Sequence, residues 1–325
     1  MSQRISILGM LCIFLTISHL MAFGNKSSIE QTGIEFDHNT IDYFINSGQS
    51  GVLTALQGSQ GMIGSPHQLC YTLSGNAFKG DFLIINKTAK KLDLQILCLL
   101  DYKQVPFNFN QIFSDLQKLV VEPNEKKRIH FSIGSVTTGV HDFILLAMDR
   151  IDASTSNEFN PNNLFFHRVE LFAGSKRSPK IEAQIADKVT AQEEAIYFIR
   201  CERKNEFDWT NHSSIPKFKM PRTTFSLHIN NPENEPMNTA ILTFLNTHQI
   251  DEIGNISVNP RFWKIPPKSL GTIPVAVDTH SFRNGDIFMI LCIENPFVHL
   301  ETSRSQISQI KTRVHIPYRT IVKFN

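Results

Sequence analysis

Residues 139–148 read Gly-Val-His-Asp-Phe-Ile-Leu-Leu-Ala-Met, and the pattern returns at residues 285–293 as Gly-Asp-Ile-Phe-Met-Ile-Leu-Cys-Ile. Aligning Phe143 with Phe288 sets Ile144-Leu145-Leu146-Ala147-Met148 against Met289-Ile290-Leu291-Cys292-Ile293. Each copy is a glycine turn feeding an apolar run that is too short for a membrane span. It lacks the alternation of a strand with one wet face, so it suits a strand buried on both faces. Two such strands, 145 residues apart, predict two copies of one domain.

Weaker echoes keep the same order at nearly the same offset. Phe82-Leu-Ile-Ile-Asn86 matches Ser226-Leu-His-Ile-Asn230, and the residues from Leu100 to Val105 match those from Leu245 to Ile250. Pro123 with Ile129-His-Phe-Ser-Ile133 matches Pro267 with Ile273-Pro-Val-Ala-Val277, and His167-Arg168-Val169 matches Thr312-Arg313-Val314. The period is domain-sized, unlike that of a solenoid. Within the first copy, short apolar or alternating runs begin at Leu69, Asp81, Leu92, Leu119, Ile129, Asp142 and Phe165, separated by Gly-Asn, Asn-Lys, Pro-Asn and Asn-Pro turn signals. Seven short strands in one domain is the count of an immunoglobulin-like sandwich. In the second copy the run from Glu194 to Cys201 reads as the first strand, corresponding to Leu69–Leu73. The residues from Asn110 to Lys118 read as a short helix crossing between its sheets.

The expected fold class is therefore all-β, with two tandem immunoglobulin-like antiparallel β-sandwich domains after an N-terminal signal or anchor helix. Residues 1–24 carry Arg4, an almost continuous apolar stretch from Ile5 to Phe23, and Ala22-Phe23-Gly24 as a small-residue cleavage site. That is the pattern of a signal peptide. Left uncleaved, it would be a membrane anchor. Residues 25–66, polar and rich in Gly, Ser, Asn and Gln, read as a linker, 67–174 as the first sandwich and 175–325 as the second. Pro317, in the last apolar stretch, fits only an edge or a bulge.

Hydrophobic content of 41% is that of a globular chain, and a net charge of +2 disfavours nucleic acid as a partner. Beyond the leader, the cysteines are Cys70, Cys98, Cys201 and Cys292, two per domain. They could pair as disulfides in an oxidising compartment, or Cys98 and Cys292 could serve as small buried hydrophobes within their strands.

Chemistry is harder to find. No Gly-x-Ser-x-Gly elbow, His-Glu-x-x-His pair, Cys-x-x-Cys or phosphate-cradling glycine loop occurs, so no catalytic residue, metal site or cofactor is expected. His141-Asp142 resembles a dyad, but adjacent strand residues face opposite sides of a sheet. Asp149, Asp152 and Asn157 lack the spacing of a calcium loop. Aromatic residues beside polar ones do invite a binding role: Tyr102, Phe107 and Phe109 after the third strand, and Phe262 with Trp263 in the second copy. Exposed, they would make a carbohydrate platform; buried, they would plug the sandwich ends. Asn86-Lys-Thr88, Asn211-His-Ser213 and Asn255-Ile-Ser257 match the glycosylation acceptor pattern.

The leader, the doubled sandwich pattern and the Gly-Val-His-Asp-Phe-Ile-Leu-Leu run resemble bacterial cell-envelope proteins with tandem immunoglobulin-like or fibronectin-III-like domains. The resemblance spans residues 67–325. It implies a non-enzymatic extracytoplasmic protein (secreted, periplasmic or on the cell surface) that mediates protein–protein interaction or envelope assembly. A carbohydrate-binding sandwich is the alternative, and a secreted hydrolase a third reading. The partner is expected to be a protein, or else a polysaccharide, with the membrane touched only through an uncleaved N-terminal segment.

Overall fold

A computed structural model of the 325-residue chain describes residues 28–30 and, with interruptions, 42–324; the longer stretches outside it are 1–27, 31–41, 150–163, 175–182, 192–197, 204–216 and 301–312. The signal or anchor segment thus lies outside the described residues, as do Asp152, Asn157, Asn211 and Asn255.

The described chain forms two sandwiches. In the first, one sheet runs 117–121, 92–100, 139–149, 164–173, 70–73 and 63–64 in spatial order, with 103–105 added beside 92–100. Its companion runs 52–58, 78–86, 126–133, 107–109 and 112–114. Neighbours are antiparallel, except that Cys70–Leu73 lies parallel to Glu170–Ala173. The chain crosses from one sheet to the other between 78–86 and 92–100, giving the two-sheet immunoglobulin-like plan. In the second sandwich the order is 28–30, 313–321, 287–294, 237–245, 261–265 and 184–185, facing 188–191, 269–278, 222–231 and 198–203.

The apolar runs are covered on both faces, and the alternation of strand side chains shows how. Phe143, Leu145 and Ala147 pack inside the first sandwich; Ile144, Leu146 and Met148 face the other way. Phe288, Ile290 and Cys292 likewise pack inside the second sandwich, while Met289, Leu291 and Ile293 face outward. The two outward sets meet each other, joined by Leu97, Leu99 and Phe166 from one side and Leu242, Phe244 and Val314 from the other. The protein is a stack of four sheets with three apolar layers, the middle one lying between the halves. Each buried Leu, Ile or Phe contributes roughly 1.5–3 kcal/mol relative to exposure, so this seam is a core rather than a hinge.

The repeat is visible in detail. Asp101 and Tyr102 take φ of 51° and 66°, and Asn246 and Thr247 take 52° and 68°, so matching hairpins turn at matching places. The Asn86 side-chain amide donates to the carbonyls of Lys90, Val121 and Glu122 at 2.8, 3.2 and 3.1 Å. That of Asn231 donates to Glu235, Ile265 and Pro266 at 2.9, 3.2 and 3.0 Å. The match is thus Asn86 with Asn231, one residue later than sequence alignment with Asn230 suggests. The His167-Arg168-Val169 match also fails: Val169 lies opposite Phe143, whereas Val314 lies opposite Ile293. The last long strand also carries an irregularity: its register shifts between Ile290 and Cys292, where Ile316 and Pro317 are accommodated. The proline does sit at a bulge.

Three other expectations need correction. Residues 25–66 are more than a linker. Val52–Gly58 is a full strand paired to Asn86–Gly80, with Leu53 and Ala55 buried, and Ser28–Glu30 pairs with Arg313–His315 of the second sandwich. Polar residues alternating with small apolar ones hid that strand. The stretch 110–118 is no helix: it holds a turn at Asn110-Gln111 (φ of 49° and 73°) and strands Ile112–Ser114 and Gln117–Val121. Finally, Phe198–Arg203 pairs with Asn230–Phe225, making it the counterpart of Val52–Gly58 rather than of the Leu69–Leu73 run, so Cys201 falls where the first copy has Leu56.

Candidate functional site

The seam between the sandwiches holds a buried cluster of charged groups. On the strand 139–149, position 142 belongs to the same row as Ile144, Leu146 and Met148, yet it carries a carboxylate that is 1% exposed. Ile144 pairs with Arg168 on the next strand and Asp142 with Glu170, which puts Arg168 diagonally beside Asp142 on one face. Arg168, fully buried, donates through Nη2 to Asp142 Oδ2 at 2.5 Å. The Tyr102 hydroxyl donates to the same oxygen, and so does the Phe297 backbone N–H at 2.7 Å. Three donors converge on one carboxylate oxygen, which offsets its desolvation.

Two of these donors tie the halves together, because Phe297 follows the 287–294 strand of the second sandwich. Arg168 Nη1 also donates to the Glu294 carbonyl at 3.4 Å. Glu170 Oε2 accepts the Leu300 N–H at 2.9 Å and the Cys70 thiol at 3.5 Å. The first sandwich thus holds the 294–300 segment of the second by two buried acids. Tyr102, Phe262 and Phe297 pack edge-on or tilted around the same point, with ring centroids 5.1–5.7 Å apart. Cys70, Val140 and Phe172 then receive Leu300 and Val298 in a further apolar contact.

Burial would by itself lower the Arg168 guanidinium, but the charge of Asp142, with Tyr102 and Glu170 adding to it, raises it instead. Burial pushes the Tyr102 phenol well above its usual value, so it remains a donor. The arrangement is a closed lock: Asp142, Glu170, Tyr102 and Arg168 are each bonded to another part of the chain and all are buried, so none offers an open face to a substrate.

His141 and Asp142 do separate to opposite faces, as alternation requires. The His141 ring turns to Asp101, Nδ1 to Oδ2 at 2.6 Å, and to the Thr137 carbonyl, Nε2 to O at 2.8 Å. The bond to Asp101, opposed by partial burial, raises its pKa.

The expected aromatic platform is absent from the surface. Tyr102, Phe107, Phe109 and Trp263 are all buried and Phe262 is half-buried. Phe107 and Phe109 pack inside the first sandwich, Trp263 inside the second, and Phe262 at the seam. They are core because strands 107–109 and 261–265, and the turn bearing Tyr102, point them between sheets or between halves, and a carbohydrate site built on them is not retained. Cys70, Cys98 and Cys292 are buried thiols, so neither Cys70–Cys98 nor Cys201–Cys292 is a disulfide. Asn86, the first glycosylation acceptor match, is buried with its amide fully engaged. The polar cluster itself was legible only as an oddity: Arg168 and Glu170 are charges inside an otherwise apolar strand, two residues apart and hence on one face.

Among the described residues, the large apolar side chains left most exposed are Phe113 (70%), Ile185 (64%) and Ile112 (63%); Phe113 and Ile112 share the terminal strand of the first sandwich's second sheet. The hairpin that bears Ile112 and Phe113 reaches the seam, where Asp115 Oδ2 and His248 Nδ1 lie 3.0 Å apart.

No family model matches the chain, and no curated protein matches it. Among solved structures it is similar to the CARDB domain of a Pyrococcus furiosus protein crystallised with two metal ions: 10% identity, TM-score 0.24, over 38% of this chain and 94% of that one. The solution structure of the same domain gives 12% identity and a TM-score of 0.23, over 38% of this chain and 98% of that one. Red sea bream transglutaminase gives 8% identity and a TM-score of 0.22, over 90% of this chain but only 34% of the enzyme. The assignment of fold rests on strand order and pairing rather than on these distant likenesses.

Proposed function

We propose that this chain is a non-enzymatic extracytoplasmic protein that binds another protein, as part of a cell-envelope assembly, through the hairpin tip bearing Ile112 and Phe113. One observation carries the reading: two large apolar side chains, consecutive in sequence and so on opposite faces, are exposed on the last strand of a sheet. Edge strands are normally shortened, charged or covered, and an apolar edge is a place where a second chain adds on. The rigid double sandwich behind it serves as a mount, holding the tip at fixed geometry. The leader in residues 1–24 is the proposed export signal.

The test is affinity capture from envelope extracts with residues 25–325 as bait, beside the same bait carrying Ile112→Ser and Phe113→Ser. The wild-type bait should retain a protein that the variant loses. Equal capture by both baits, or none by either, overturns the assignment to this hairpin. Fusing residues 1–40 to a reporter active only outside the cytoplasm tests export, and an inactive reporter overturns that part.

A further inference from the structure

The two halves solve one local problem with opposite chemistry. In the first, Asp101 Oδ1 accepts the Asp142 N–H at 3.0 Å while its Oδ2 meets His141 Nδ1 at 2.6 Å. In the second, Asn246 Oδ1 accepts the Ile287 N–H at 2.8 Å while its Nδ2 donates to Asp286 Oδ1 at 2.9 Å. The turn residue (101 or 246) and the strand residue (141 or 286) are clasped alike, with donor and acceptor exchanged. An imidazole faces a carboxylate in one copy, and a carboxylate faces an amide in the other.

The exchange makes one clasp dependent on a proton. His141 Nε2 lies 2.8 Å from the Thr137 carbonyl, which can only accept, and Nδ1 faces a carboxylate, which also accepts when ionised. Both contacts are satisfied together only by a ring carrying hydrogen on both nitrogens. Around it, the charged groups are Asp101 from the turn and Asp142 on its own strand; the residue facing it across the sheet is Leu171, and Arg168 and Glu170 lie on the other face. Among the described residues, no other cation is paired with the Asp101 carboxylate. Asp101 is the residue before Tyr102, whose hydroxyl, ring and carbonyl all reach the seam.

We propose that His141 and Asp101 form a proton-operated clasp on the turn that delivers Tyr102 to the seam, whereas Asn246 and Asp286 form its permanently fastened counterpart. When the imidazolium gives its proton to solvent, one of its two contacts becomes lone pair against lone pair. The Asp101-Tyr102 turn then loosens while the Asn246-Thr247 turn does not.

The whole chain provides its own control. Amide exchange of Tyr102–Val105, corrected for intrinsic base catalysis, should rise relative to His248–Ile250 by about tenfold for each unit that the imidazole pKa is lifted by folding, as pH climbs above neutrality. The double variant Asp101→Asn with His141→Asp installs the second copy's pair in the first, and should flatten that ratio. An unchanged pH dependence in the double variant overturns the proposal. If the variant does not fold, nitrogen NMR of the wild-type imidazole decides: two protonated nitrogens at pH 7 support the clasp, and a neutral ring at that pH overturns it.

Discussion

Gln104 and Gln249 hold each other by the main chain: each donates its backbone N–H to the other's side-chain carbonyl at 2.6 Å. Their amide nitrogens then reach one step further, Gln104 to the Thr247 carbonyl at 3.1 Å and Gln249 to the Tyr102 carbonyl at 3.0 Å. Residue i touching j while j touches i in the same way is the mark of a two-fold relation. An interface of the kind formed by identical subunits is here enclosed within one chain, its local axis passing between these two glutamines.

Gln104→Ala should therefore cost about 1–3 kcal/mol, since it strands the Gln249 N–H and takes the donor from the Thr247 and Asp115 carbonyls, and Gln249→Ala should cost a similar amount. The double variant should cost clearly less than the two losses added. A double-mutant cycle by urea denaturation measures the coupling, expected at about 0.5–3 kcal/mol.

The middle apolar layer should make the two halves unfold together. Calorimetry of the full chain should give one transition, and Leu291→Ala, at the seam, should lower its stability by about 2–5 kcal/mol without splitting it. Two separated transitions in the wild type would mean that the seam contributes little.

Arg168→Met should be severe, about 3–5 kcal/mol, because it leaves the Asp142 carboxylate buried without its cation. The second copy carries Ile287 where the first has Asp142, so Arg168→Met combined with Asp142→Ile follows a precedent within the chain. The pair should recover only part of the single loss, because the Tyr102 hydroxyl and the Phe297 N–H lose their carboxylate acceptor, again by denaturant unfolding.

Much of this was legible in the sequence because repeated apolar residues obey the period of a strand. The runs after Gly139 and Gly285 announced burial on both faces, and Pro317 announced its bulge. What covered their second face was not legible, since an apolar residue pointing at another domain reads like one pointing at its own. For the same reason Tyr102, Phe262 and Trp263 looked like loop aromatics awaiting a ligand. Val52–Gly58 escaped notice because Thr54 and Gln57 dilute its apolar character, although its row of Leu53 and Ala55 is covered. Arg168 and Asp142 are 26 residues apart, and only the pairing of their strands makes them partners.

His167 gives a pH signature opposite to that of His141. Burial holds its pKa at about 4, against 6.5 for a free imidazole, with Nε2 bonded to Thr54 Oγ1 at 2.9 Å. The unfolded chain takes up this proton first, so the contribution is intact above pH 6.5 and is lost progressively as pH falls towards about 4. His167→Gln should flatten the stability profile across that window, measured by urea unfolding at several pH values.

Asn86→Asp preserves shape but removes the donors that three carbonyls require. It should destabilise the first sandwich by about 1–3 kcal/mol or more, and Asn231→Asp should do the same in the second. Expression in a glycosylating host should leave Asn86 of the folded protein unmodified by mass spectrometry.

Ser28–Glu30 lies antiparallel against His315–Arg313, so the described chain begins and nearly ends in one sheet. Tension applied at the two ends would enter the second sandwich directly and bypass the first. Residue 28 pairs with 315 and residue 30 with 313, so both free ends leave this short ladder from the same side. Residue 28 pulled away from its partner would open this ladder rung by rung like a zipper instead of resisting in shear, yielding at low force while the remaining strands of the stack stayed paired.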